Sequence, residues 1–187
     1  MKVAGVLLAA GTGSRFSGPK HKLLTDLHGE PLVTHAARSM TQSTMDGYAV
    51  VTGAVELNKA LDQFSELRVI ENPQFDQGIA TSLSAATAWA VANDFEALVV
   101  GLGDQPGVLS SAWTLLAQTR SPIAVATYDG KLGNPVRLEK SVWGSVPSTG
   151  DEGARVLVRA RPDLVEQVAC EGSSDDVDTV EDLGQWN

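Results

Sequence analysis

The sequence predicts a three-layer, Rossmann-like α/β fold with a mostly parallel central sheet, and two observations carry that expectation. Short Val-, Ile- and Leu-rich runs of strand length alternate with longer stretches of helical periodicity, which is the rhythm of βαβ units. The runs are apolar nearly throughout, as strands covered on both faces require. At 187 residues the chain suits one domain, residues 1–187, with a substantial core. No internal repeat, low-complexity tract or linker divides it, and periodicity does not reveal the order of the strands.

Strands are expected at 3–8, 48–52, 67–70, 96–102, 122–127 and 164–169, and helices near 31–42, 55–63, 78–92, 109–119, 139–145 and 152–160. Pro31 suits the first turn of a helix, after which Leu32, Ala36 and Met40 repeat along one face. In the third helix the buried stripe is Ile79, Leu83, Ala86 and Ala90. Tyr128-Asp129-Gly130-Lys131 reads as a turn, and Gly133-Asn134-Pro135-Val136 as a second turn leading into an extended segment. Asp151 is placed to cap the helix whose apolar side includes Val156, Leu157 and Ala160. Thr179 followed by Asp182 is close to a capping box and marks the start of a last helix.

The chemistry begins directly after the first strand. Gly11 and Gly13 lack Cβ atoms, so backbone N–H groups there can approach an anion closely. Arg15, Lys20 and Lys22 follow and can supply fixed positive charge to phosphate oxygens. Two familiar phosphate loops are excluded. A Walker loop would place a lysine after Gly18, where Pro19 stands, and a dinucleotide fingerprint would end on glycine or alanine, where Phe16 stands. Further on, Gly78-Ile79-Ala80-Thr81-Ser82 opens a helix with small and hydroxylated residues, either as a plain cap or as an open positive end for an anion or ribose. Val99-Val100-Gly101-Leu102-Gly103-Asp104-Gln105-Pro106 ends a buried strand on a carboxylate. Asp104 there is either an ordinary turn residue or a ligand for Mg²⁺, which prefers hard oxygen donors and phosphate partners. No Ser-His-Asp or Cys-His arrangement suggests covalent catalysis, His21 and His28 have no second ligand at metal spacing, and His35 in the first helix reads as a packed or surface histidine rather than a catalytic one.

Bulk properties narrow the class. A net charge of −9 argues against a general nucleic-acid surface, although the cations concentrate in the first loop while acidic residues gather late. The lone Cys170 excludes an internal disulfide and argues against a cysteine-built metal site. No apolar run approaches the length of a membrane span, and Gly11 to Lys22 stand where a secretory cleavage site would be. The expectation is a cytoplasmic protein with neither nucleic acid nor membrane as partner.

The chain resembles the MobA/MocA-like nucleotidyltransferases through several motifs in order. Leu8-Ala9-Ala10-Gly11, Ser14, Arg15 and Lys22-Leu23-Leu24 match the opening pattern, which departs at Phe16-Ser17, where the family usually has Met-Gly. Gly78 and Ser82, Gly103-Asp104-Gln105-Pro106, Gly133-Asn134-Pro135, Gly150-Asp151-Glu152-Gly153 and Asp176-Val177-Asp178-Thr179 match later ones. The resemblance implies a nucleotidyltransferase fold with the nucleotide held by Leu8, Ala9, Ala10, Gly11, Gly13, Ser14, Arg15, Lys22, Gly78 and Ser82. It implies catalytic roles for Arg15 and Lys22, with Lys22 favoured over Lys20 because it directly precedes the leucine pair. Asp104 and Asp178 would share Mg²⁺, and Asn134 and Arg155 would lie towards the acceptor. Within the family the chain looks most like the molybdenum cofactor cytidylyltransferases, whose opening is more often Leu-Ala-Ala-Gly than Leu-Ala-Gly-Gly. That implies CTP, or another NTP, as donor, a molybdopterin-type acceptor, pyrophosphate as product and a molybdenum hydroxylase as recipient. Two rival expectations are an NAD(P)H-dependent oxidoreductase of the nicotine-blue type and a non-catalytic molybdenum cofactor-binding chaperone. The missing dinucleotide fingerprint counts against the first.

Overall fold

The computed structural model describes residues 1–186. In chain order the elements are β1 (Val3–Ala9), the two-residue strands β2 (Asp26–Leu27) and β3 (Glu30–Pro31), α1 (Leu32–Thr41), β4 (Gly47–Thr52), α2 (Asn58–Leu61) and β5 (Leu67–Glu71). Then come α3 (Ile79–Ala92), β6 (Ala97–Leu102), α4 (Ser110–Gln118), β7 (Ile123–Tyr128), β8 (Lys131–Glu139), α5 (Arg155–Ala160), β9 (Val165–Ala169) and α6 (Val180–Gly184). Seven strands form one sheet in the order β5-β4-β1-β6-β8-β7-β9, while β2 and β3 pair as a separate antiparallel ribbon.

Every residue of β1 is buried, because side chains pointing both ways are covered. Leu7 and Ala9 pack with Val33, Ala37 and Trp113 on the face carrying α1, α2 and α4. Val6, Leu8 and Ala10 pack with Leu83, Ala86 and Leu157 on the face carrying α3 and α5. The three layers of the expectation are therefore present. Gly101 in β6 has a steric reason: a Cβ there would stand 2.6 Å from the Trp113 ring.

Six strands run in one direction and β8 runs against them, antiparallel to both β6 and β7. The sequence reading allowed an extended segment after Gly133 but not a full strand from Lys131. Its turn is short because Asp129 (φ 48°) and Gly130 (φ 77°) both take left-handed backbone, the requirement of a two-residue hairpin loop. Asn134 and Pro135 bulge out of register between Val125 and Ala126, which disguised the strand's alternation.

Three helical expectations shrink. The stretch 55–63 forms only the single turn of α2, and 139–145 is a 3-10 turn, Lys140–Ser145. The helix expected from 152 begins at Arg155, so Asp151 does not cap it: Ala154 holds the N-cap position without a side-chain bond. The last helix is capped better than its sequence suggested. Thr179 Oγ1 accepts from Asp182 N at 3.1 Å, and Asp182 Oδ2 accepts from Thr179 N at 2.8 Å and Asp178 N at 3.0 Å. The aspartate's shorter arm still closes the reciprocal cap.

A third, smaller apolar cluster positions the site. Leu27, Leu32, Val177 and Leu183 are buried together, with Phe16 and Trp186 packed against them. Each buried aliphatic contributes about 1.5–3 kcal/mol of transfer free energy, and together they tie the C-terminal segment to the residues that follow the first loop. His35 belongs to the same region structurally: its Nε2 bonds the Leu27 carbonyl at 2.8 Å.

Candidate functional site

The chain runs outward from β1 to β4 and β5, then returns through α3 to β6 on the other side of β1. That reversal leaves a crevice beyond the carboxyl ends of β1 and β6, where open α/β sheets place ligands. A cavity of about 400 Å³ occupies it. Leu8, Ala9, Ala10, Gly11, Gly13, Ser14, Arg15, Lys22, Gly78, Ser82, Asp104 and Asp178 all line this one cavity, while Lys20 does not.

The first loop is shaped by Gly13, whose φ is +63° and where a Cβ would meet Lys22 Cγ at 3.2 Å. The loop is also pinned by a residue the sequence left unassigned. His21 Nδ1 accepts from Leu23 N at 3.3 Å, so the proton sits on Nε2, which donates to the Gly11 carbonyl at 3.0 Å. Burial, outweighing the hydrogen bond to Gly11, pushes the His21 pKa below its ordinary value and favours that neutral ring. On the opposite wall Gly78 (φ +103°) begins α3. A side chain there would strike the Gly150 backbone, whose carbonyl accepts from Ala80 N at 3.0 Å. Asn72, also absent from the sequence reading, donates to the buried Ser82 hydroxyl at 3.0 Å.

The two carboxylates meet on one ammonium. Lys22 Nζ lies 2.5 Å from Asp104 Oδ2 and 3.1 Å from Asp178 Oδ1, and Arg15 Nη1 lies 2.7 Å from Asp178 Oδ2. Lys22 is 12% exposed, Asp104 16% and Asp178 21%, whereas Arg15 is 76% exposed and reaches in from solvent. Burial alone would lower the Lys22 pKa, but the charges and hydrogen bonds of Asp104 and Asp178 outweigh it and hold the ammonium above its ordinary value. Asp176 stands beside them. Burial first, then the Asp104 charge, pushes its carboxyl up, with Asp178 adding to the shift.

Among the described residues no group of three or more His, Cys, Asp and Glu side chains is arranged to hold a metal ion. The donor set is a carboxylate pair, and its chemistry fits a hard divalent cation. Two anionic oxygens face the cavity, and the remaining coordination positions would fall to phosphate oxygens and water, as is usual for Mg²⁺. The pair already accommodates positive charge in the form of Lys22.

Arg155 and Asn134 do not line this cavity. They border a separate one of about 180 Å³ with Val125, Val136 and Val158, while Asp151 lines the main cavity. No helix among the described residues is long and apolar enough to cross a membrane.

A crevice at this point of an α/β sheet, lined by a glycine loop and by two cations paired with carboxylates, is a place where such sheets bind ligands. The MobA-like NTP transferase domain matches residues 5–167, and the chain belongs to that family of nucleotidyltransferases. Among curated relatives, the nicotine blue oxidoreductase of Paenarthrobacter nicotinovorans is 34% identical, the match covering 97% of this chain and 94% of that one. Among solved structures, Rv0371c from Mycobacterium tuberculosis H37Rv superposes with a TM-score of 0.83 at 24% identity, covering 99% of this chain and 97% of that one. A complex of Rv0371c with manganese also matches, with a TM-score of 0.79. The inositol-1-phosphate CTP transferase from T. maritima superposes with a TM-score of 0.77 at 19% identity, covering 97% and 91%. At these identities the solved structures speak to the fold.

Proposed function

We propose that this chain is a Mg²⁺-dependent nucleotidyltransferase that transfers CMP from CTP to the phosphate of a molybdopterin-type acceptor and releases pyrophosphate. The observation that carries the reading is the convergence of Lys22, Arg15, Asp104 and Asp178 beside the glycine loop, from the start, middle and end of the chain. The T. maritima neighbour is a CTP transferase and Rv0371c forms a complex with manganese, which supports CTP as donor and a divalent cation.

The division of labour follows from the chemistry. Backbone amides from Gly11 to Arg15 take phosphate oxygens of the donor, with Gly13 giving the loop its left-handed turn. Lys22 and Arg15 lie where charge develops on the departing pyrophosphate. An acceptor phosphate oxygen attacks the α-phosphorus, the bond to the β-phosphate bridging oxygen breaks, and that oxygen leaves with its electron pair as pyrophosphate. Positioning does most of the work, so no protein nucleophile is required. Asp104 and Asp178 would hold Mg²⁺, which when bound neutralises phosphate charge and orients the in-line displacement. The Gly78 end of α3 and Ser82 take the nucleoside side of the cavity.

The test is pyrophosphate release from CTP, GTP and ATP with a molybdopterin acceptor, with and without Mg²⁺. CTP should be preferred, and Asp104→Asn or Asp178→Asn should each lower turnover by at least about 100-fold. No pyrophosphate from any of the three nucleotides would contradict the reading. The Paenarthrobacter relative, a nicotine blue oxidoreductase, favours a second reading, an NAD(P)H-dependent oxidoreductase. Dye reduction by NAD(P)H without metal or nucleoside triphosphate would establish it.

A further inference from the structure

Gln105 follows Asp104 directly, is 2% exposed and has no part in the transfer chemistry above. Its amide is engaged on both sides. Nε2 donates to Asp176 Oδ1 and to the Ser174 carbonyl, each at 2.7 Å, and Oε1 accepts from Asn134 Nδ2 at 3.1 Å. Three segments far apart in sequence thus meet on one side chain: the turn after β6, the bulge of β8 and the stretch leading to α6. The orientation of the amide is forced. Turned over, it would present its oxygen to a carboxylate and a carbonyl, so like would face like at both, and the Asn134 amide would have to turn with it.

The consequence reaches the carboxylate pair through a short strap. Between Asp176 and Asp178 the Val177 side chain is fully buried, and Val177 N donates to the Asp104 carbonyl at 3.0 Å. The strap is therefore fixed to the Asp104 turn at two points, one through backbone and one through Gln105. Glutamate at this position would set one carboxylate against another, and leucine would leave the Asp176 carboxylate without its donor.

We propose that Gln105 is the positioning residue that sets the separation of the Asp104 and Asp178 carboxylates, with Asn134 fixing the direction of its amide. This rests on the nucleotidyltransferase reading for what the two carboxylates hold, and the experiment separates the two claims. Mn²⁺ binding is measured by electron paramagnetic resonance on the purified protein, alongside thermal unfolding and CTP binding without divalent cation. Gln105→Leu and Gln105→Glu should each weaken Mn²⁺ binding by at least about 10-fold, in the range expected for residues that orient metal ligands. CTP binding without metal should stay within about twofold, because it depends on the glycine loop. Unchanged Mn²⁺ affinity in folded Gln105→Leu overturns the proposal, and so does a loss of Mn²⁺ binding matched by an equal loss of metal-free CTP binding. If Gln105→Leu does not fold, Asn134→Ala removes only the orienting donor. It should weaken Mn²⁺ by about two- to threefold, and no change there overturns the proposal equally. Wild-type protein that binds neither Mn²⁺ nor CTP overturns the underlying function and this inference together.

Discussion

Lys22 governs the charge balance of the site, because its ammonium occupies the carboxylate oxygens that the proposed divalent cation would take. A triphosphate offers that ammonium other partners, so nucleotide and metal should each ease the binding of the other. Lys22→Met should therefore bind Mn²⁺ about 10-fold more tightly than wild type without nucleotide, while turnover falls by about 100-fold or more for want of charge on the leaving pyrophosphate. Lys20→Ala should keep turnover within about twofold, since Lys20 stands outside the cavity. Equal losses at the two lysines, or weaker Mn²⁺ binding in Lys22→Met, would contradict this assignment. Much of the candidate site's lining was legible residue by residue, since the glycines and cations after β1 and the Asp that follows β6 all border one cavity. His21, Asn72 and Gln105 were not legible. They act by bonding a backbone carbonyl or another side chain across the fold, and only three-dimensional proximity reveals such partners.

At the scale of elements, the strands were easier to foresee than the helices. A strand buried on both faces, such as β1, is apolar along its whole length, so its signal survives without knowledge of its neighbours. The stretches 139–145 and 152–160 have helical spacing but too little length and no side-chain cap at their starts, and they yield a 3-10 turn and a six-residue helix. The strand β8 was hidden by the turn-like Gly133-Asn134-Pro135 inside it, yet its insertion beside β6 is what brings Asn134 to Gln105. The β7–β8 hairpin makes a direct prediction. A Cβ on Gly130 meets no atom within 4 Å, so Gly130→Ala isolates the cost of left-handed backbone. It should destabilise the protein by about 1–2 kcal/mol in urea unfolding. A loss near zero would show that the hairpin loop does not depend on that conformation.

Over the whole molecule, the two ends of the chain are brought to one place by apolar burial rather than by their charges. Val177 and Leu183 pack on Leu27 and Leu32, Phe16 covers the cluster, and the loop bearing Arg15 and the strap bearing Asp178 close on each other as a result. The substitution of Phe16-Ser17 for the family's Met-Gly thus falls on a packing position at the edge of the site. A net charge of −9 would repel a nucleotide from most of the surface, and around this cavity Arg15 and Lys22 stand against Asp76, Asp104, Asp151, Asp176 and Asp178, so a nucleotide would need a divalent cation to offset the charge there. The most direct measurement is a crystal structure of the protein with CTP and Mn²⁺, with the metal located by its anomalous scattering. The account predicts one Mn²⁺ at about 2.0–2.3 Å from carboxylate oxygens of both Asp104 and Asp178, and the triphosphate on the amides from Gly11 to Arg15. A metal bound elsewhere, or a nucleotide seated away from that loop, would contradict it.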